Sequence, residues 1–582
     1  KDLSNEYIKH GLGQFTSTSI RHKMTELGPR SEENSIDEMH IPGTVHLVDV
    51  EGCLDVKKDK NSGNIILQPQ PSSNPNDPLR WSKSKKRQQF WLLWIWSFIL
   101  AVAVNFWGPL FGVWVVELNC NLAELNIFAA ILFLFLGIGC VFLQPTAMKL
   151  GRRFVYLICT IIMIVANIIG SQAKSIQVLY ITNILAGFAG APIDSLVEIS
   201  TTDVFFQHER AEYLSWFIFV LYAGSDLGPV ASGFIVEAMN WRWCYYFLII
   251  FSSVLFIIQV FFMEDTTFER LDNDLETDIL SQIKSRETFL SRGDLAEMPA
   301  EVSSKNNYLP FIQDVSASLK DYSDSIDHFI PLRTYWQRIK LFELEYNDSR
   351  PWITIFYKPF FLISFPAIIW SGIIYGCQMM WLSLLGTTQS QIYSSFPYNF
   401  SASSVGLTNL GALVGSIAGM FYGGKFIDYV TIRLALKNNG ILEPEFRLWT
   451  MALPTIFNAA GLLAYGLGSY YQAHWTISVI LGQGLIGFAM SSSGAICITY
   501  SIDSYPKLAS ESLVLMLFIR NCIGCGFTFA IQPWLDRCGL RLTTWLMFML
   551  SLVVNGSFII MIKWGKDFRR VTSDRYYGYS RQ

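Results

Sequence analysis

The sequence predicts an all-α membrane protein of twelve transmembrane helices in two six-helix bundles. Three observations carry that expectation. Twelve apolar stretches occur in two sets of six, and each is long enough to cross a bilayer, which takes ~20 apolar residues. About 90 polar residues separate the two sets. Hydrophobic residues make up 51% of the 582 and charged residues only 16%, against roughly 25% in a soluble domain.

The stretches lie near 89–116, 122–147, 154–172, 176–200, 211–236 and 243–263 in the first set. The second set lies near 356–382, 402–424, 449–469, 475–501, 510–534 and 540–563. Most exceed 20 residues, so some are expected to tilt. The seventh is expected to start after Tyr357-Lys358-Pro359, because proline suits a first helical turn better than an interior. The resulting organisation is an N-terminal tail (1–87), an N-terminal bundle (88–264), a central linker (265–352), a C-terminal bundle (353–564) and a C-terminal tail (565–582).

Orientation follows from the basic loops. Lys83, Lys85, Lys86 and Arg87 precede the first stretch, and Lys149, Arg152 and Arg153 follow the second. Lys425, Arg433, Lys437 and Arg447 lie between the eighth and ninth, and Lys563, Lys566, Arg569 and Arg570 follow the twelfth. The loop around Gln391–Ser401 carries no charge. Both termini and the linker are therefore expected in the cytoplasm, with the Asn399-Phe400-Ser401 sequon outside. Within the linker, Leu332 to Leu344 interleaves Arg333, Arg338 and Lys340 with Tyr335, Trp336, Ile339 and Phe342. This pattern suits an amphipathic helix lying on the membrane or against a bundle, or a plain linker between two moving halves.

Several chemistries find no support. The ten cysteines form no ligand cluster, and Cys522 and Cys525 sit in an apolar run without a nearby histidine, so no metal is expected. A disulfide between Cys120 and Cys538 is possible if both face outside. A net charge of −3 gives no basis for nucleic-acid binding. No nucleotide loop or nucleophile–base set stands out, so neither an enzyme nor a cofactor is expected. The first 80 residues are polar, and no cleavable signal peptide is read in them.

Function is then expected at charges inside the stretches, where an Asp near a helix centre costs ~2.5–3.5 kcal/mol. Asp194 and Glu198 lie four apart on one face of the fourth stretch, with Asn183 and Gly187. They read as a cation or proton site, or as a structural pair. Asp226 lies mid-way along the fifth stretch, one turn after Tyr222. A carboxylate beside an aromatic ring suits an ammonium group through charge pairing and cation–π attraction. Its alternative role is a hydrogen bond that steadies a kink at Pro229. Gly224 and Gly228 form a close-packing stripe with Ser232 on another face, and Gly411, Gly415 and Gly419 form a second in the eighth stretch. Arg520, inside the eleventh stretch, needs an acidic or carbonyl partner. Tyr375, Gln378 and Met379 share a face of the seventh and could line a cavity, although an interhelical contact explains Gln378 equally well.

Other residues carry a family resemblance. Gly224, Gly228, Pro229 and Gly233 resemble the G(x)3GP(x)3G signature of proton antiporters of the major facilitator superfamily. Gly151-Arg152-Arg153 resembles the end of its GxxxDRxGRR loop motif, and Gly424, Asp428 and Arg433 its second copy. Asp77-Pro78-Leu79-Arg80-Trp81-Ser82, Pro444-Glu445-Phe446-Arg447-Leu448 and Asp503-Ser504-Tyr505-Pro506 resemble motifs of the fungal twelve-span drug:proton antiporter branch. Ile41-Pro42-Gly43-Thr44, Ile66-Leu67-Gln68-Pro69 and Gly190-Ala191-Pro192 followed by Glu198 are similar to the fungal polyamine/histidinol permease group.

The resemblance implies a monomeric transporter of small organic cations, polyamines first, at the plasma membrane, with possible proton coupling. A drug:proton antiporter exporting xenobiotics is the alternative. Gly228, Pro229, Gly233, Arg152, Arg153, Asp428, Asp503 and Arg520 are read as gating or conformational residues, Arg520 through a structural pairing, and family analogy places helices 5 and 8 in contact across the halves. Two departures matter: Met148 stands at the acidic position of the first loop motif, and Asn183 at the usual span-4 arginine. The second implies a less positive cavity.

Overall fold

The computed structural model describes residues 41–46, 74–205, 207–268, 331–342, 350–438 and 441–580. Its N-terminal half contains α1 (Lys83–Asn105), α2 (Leu122–Leu150), α3 (Arg152–Ser171), α4 (Ile176–Gly190 continued by Pro192–Val204), α5 (Gln207–Ala238) and α6 (Arg242–Phe262). Its C-terminal half contains α7 (Pro366–Tyr393), α8 (Ala402–Phe421), α9 (Ala452–Tyr470) and α10 (Gly484–Ser504, entered through a π-turn at Ile477–Gln483). The last two helices, α11 (509–538) and α12 (540–556), run together and are separated only at Gly539. There φ is +68°, a conformation that glycine adopts without the Cβ penalty of other residues. Among the described residues, eleven segments are long and apolar enough to cross a membrane. The last of them, Pro506–Tyr579, contains both α11 and α12, which gives twelve passes.

Two sequence expectations need correction, and the C-terminal tail gains a structure. The seventh helix does not begin after Pro359. Trp352–Phe361 forms a separate short helix with Pro359 inside it, and α7 starts with Pro366 in its first turn. A proline does open the seventh helix, and it is Pro366. The residues expected as the C-terminal tail are helical as far as Ser580, within Phe558–Ser580, and Arg569 is fully buried. Cys120 and Cys538 are both free thiols, and Cys120 donates to the Trp114 carbonyl at 3.3 Å.

Helices α5 and α8 do meet across the halves, but the glycine stripes serve other contacts. Gly224 and Gly228 lie against α1, at Ala101 and Val102. Gly411, Gly415 and Gly419 lie against Val479, Gly484 and Phe488 on the α10 segment. The α5–α8 approach uses Gly233, against Ala402, and Gly406, against the Pro229 carbonyl. A side chain on Gly415 would overlap the Gly484 carbonyl oxygen, so Gly415→Leu must push α8 from α10. Loss of uptake at normal surface abundance is expected, and normal uptake per surface molecule would remove the close-packing argument.

The sequence motifs outside the spans form a connected layer at the end where α1 begins. Arg447 reaches Asp503 at 2.7 Å and Asp428 at 3.0 Å, tying the ends of α8 and α10 to the start of α9. Arg569 grips Glu445 through both carboxylate oxygens, at 2.9 and 2.6 Å, and also donates to the Pro42 carbonyl. Two-pronged pairs of this kind fix geometry as well as charge. The tail residues Val45–His46 pair antiparallel with Ile441–Leu442, and Gly43 packs on the backbone of Asp503 and Ser504. The Ile41–Thr44 motif is thus a strap across the C-terminal half, while Ile66–Pro69 lies outside the described residues.

Arg152 and Arg153 play the matching part in the N-terminal half. Arg152 pairs with Asp203 beyond the turn at Gly151. Arg153 donates to the carbonyls of Val260 (2.7 Å), Ile339 and Lys340 (2.9 Å). Among the described residues of the linker segment expected to be amphipathic, Tyr335–Arg338 is helical, and these bonds hold Ile339 and Lys340 against the bundle.

Candidate functional site

The cavity lies between the halves and is lined by residues of both. One part is walled by Asn105, Tyr222, Asp226, Gln389, Asn409 and Ser416, among others. The adjoining part shares Asn105, Tyr222 and Ser225 with it and continues to Asp194, Tyr375, Gln378, Met379 and Arg520. Contacts between the halves flank it on both sides. Toward the α1 start, Gln144 donates to Ser510 at 2.7 Å. Toward the other end, the Ser403 amide donates to Glu237 at 3.2 Å.

Asp226 is only 6% exposed, and no donor among the described residues reaches its carboxylate. The hydrogen bond considered for it near Pro229 is absent among these residues. Tyr222 lines the same cavity one turn away and donates to the Met490 carbonyl of α10 at 3.2 Å, which links the halves. A buried carboxylate without partners is costly in an apolar surround. It is chemically suited to a cation that arrives from outside.

Asp194 differs from Asp226 in having a cation already. Arg520 of α11 pairs with it across the halves, donates to the Tyr375 hydroxyl at 3.0 Å and lies over that ring at 4.8 Å. The expectation of a less positive cavity is therefore corrected: α4 lacks the arginine, but α11 supplies one. Asn183 is structural, donating to the Phe128 carbonyl at 2.8 Å. Glu198 is 7% exposed and has no hydrogen bond or ion pair among the described residues. Gln378 touches the cavity, yet both ends of its amide are engaged, with Asn555 at 2.8 Å and Asn458 at 3.3 Å.

Sequence reasoning missed Asn105, Ser225, Gln389 and Asn409. Single amides and hydroxyls in apolar stretches mostly serve interhelical bonds, so nothing in the sequence distinguished these four. Asn105 donates to Ser225 at 3.1 Å and to the Ala101 carbonyl at 3.2 Å. Asn409 donates to Gln389 at 2.9 Å and to the Gly406 carbonyl at 3.0 Å. Pro229, Gly228 and Gly233 position this wall, but among the titratable candidates only Asp226 reaches it without a partner.

Two six-helix halves around a buried polar cavity define a secondary transporter. The chain belongs to the Major Facilitator Superfamily, which it matches over residues 93–529. It is 31% identical to an MFS-type transporter of Schizosaccharomyces pombe, over 89% of this chain and 90% of that one. It is 28% identical to Protein HOL1 of Saccharomyces cerevisiae, over 92% and 96%. The similarity to the MFS antiporter QDR3 of Candida albicans is 24%, over 78% and 74%. Among solved structures it resembles the proton:xylose symporter XylE, with a TM-score of 0.53 and 11% identity, over 83% and 97%. That likeness concerns the fold. The protein is a multi-pass transporter and not an enzyme.

Proposed function

We propose that this transporter imports organic cations, polyamines foremost, across the plasma membrane by alternating access. The observation that carries the reading is the unpartnered, buried Asp226 in a cavity bounded by both halves. Inward movement of a cation gains ~2.3 kcal/mol per charge per 100 mV of membrane potential. Uptake of radiolabelled spermidine should rise in cells expressing the protein over cells lacking it, and uptake of a neutral drug should not. Equal spermidine uptake in the two would refute import of this class. Energy-dependent efflux of the drug instead would favour the xenobiotic antiporter, the reading closer to the QDR3 similarity.

Protons are the proposed coupling ion, with Glu198 as the exchanging group, since it is buried and lacks a partner among the described residues. Glu198→Gln keeps the shape and removes the proton. Uptake in this variant should lose its dependence on external pH. A wild-type pH profile would assign coupling to another group.

A further inference from the structure

Asn105 and Asn409, two amides that line the cavity with Asp226, have used their N–H groups and not their oxygens, whereas Gln389 does the reverse, its oxygen accepting from Asn409 and its Nε2 having no partner among the described residues. Both donations of Asn105 stay within the N-terminal half, to Ala101 and Ser225. Both donations of Asn409 stay within the C-terminal half, to Gly406 and Gln389. These bonds settle which amide atom is which. A backbone carbonyl accepts only from a donor, so Nδ2 faces the carbonyl at 101 and at 406. Each Oδ1 is then left without a donor among the described residues, and both residues line the cavity with Asp226. The carboxylate of Asp226 likewise receives none. Three acceptors from three helices, α1, α5 and α8, therefore border one cavity with no hydrogen to share among them.

We propose that Asn105, Asp226 and Asn409 form a clamp for a primary ammonium group, which closes across the two halves. The proposal rests on the cation reading above and deepens it. A primary ammonium carries three N–H donors, one for each acceptor. A quaternary ammonium has the same charge and none of these donors. It would gain only charge pairing with Asp226 and attraction to the Tyr222 ring. Because Asn409 belongs to one half and Asn105 and Asp226 to the other, the bound group holds α8 to α1 and α5. Occupancy then favours the state in which these helices lie together.

The test uses inhibition of radiolabelled spermidine uptake in cells expressing the full chain. The competitors are 1,4-diaminobutane and its fully N-methylated bis-quaternary analogue. In the wild type the diamine should inhibit at concentrations at least about tenfold lower, the size of one lost charge-assisted hydrogen bond. Equal inhibition overturns the clamp whatever the variants do. Asn105→Ala and Asn409→Ala, normalised to surface protein, should each shrink that ratio by weakening the diamine alone. An unchanged ratio in both overturns the clamp. Asp226→Asn separates this proposal from the one beneath it. If that variant weakens both competitors while the alanine variants keep the ratio, the cation site stands and the clamp falls. If it weakens neither, the cation site falls too.

Discussion

Asp226→Asn raises the half-saturating concentration for spermidine about tenfold to a hundredfold. The substitution keeps the size and most of the hydrogen-bonding capacity of the side chain. What it removes is the charge, and a charge-assisted contact is worth ~1.5–3 kcal/mol. The effect is expected at full strength because no cation among the described residues pairs with Asp226. Neutral compounds should be affected far less. If Asp226 were only structural, surface abundance would fall and the affinity of the remaining molecules would not change. Uptake normalised to surface protein distinguishes the two results, and wild-type affinity would place the binding carboxylate elsewhere.

Arg520→Met has the largest expected effect on stability. It leaves Asp194 buried without its cation, and breaking a buried pair from one side costs ~3–5 kcal/mol. Loss of folded protein should be visible as a lower unfolding temperature in detergent and reduced surface abundance. Replacing both partners by apolar residues of similar volume is often near neutral. Asp194→Leu combined with Arg520→Met should therefore recover much of the folded protein. The hydrogen bond from Arg520 to Tyr375 is lost in either case, so recovery isolates the charge pair. A single variant as stable as the wild type would show that the pair does not hold the halves together.

How far the sequence reached differs from one residue to the next. It singled out Asp226 as a candidate, because an acid in the middle of a span is expensive wherever the helix sits, while the lack of a donor to its carboxylate among the described residues is a fact of the packing. For Arg520 it required an acidic or carbonyl partner, but the choice of Asp194 lies 326 positions away in the chain and depends on how α4 meets α11. The glycines of α5 and α8 were legible as close-packing stripes, since a missing side chain permits approach from that face. Which helix approaches is not written in a stripe. The faces at 224, 228 and 415 turned out to receive α1 and α10.

The sequence by itself determined the twelve passes, the two halves, the transporter family and the acids placed inside the spans. These follow from local quantities: the length of apolar runs, the cost of charge in lipid, and short motifs read in order. Only the tertiary structure decided that Asp194 is paired while Asp226 and Glu198 have no partner among the described residues, and which amides line the cavity with Asp226. It also decided that the tail motif at Ile41–Thr44 straps the C-terminal half through Arg569. Hydrogen-bond satisfaction is a property of neighbours in space. A helix fixes the direction of a side chain along its own axis, while packing of the twelve helices fixes what that side chain meets.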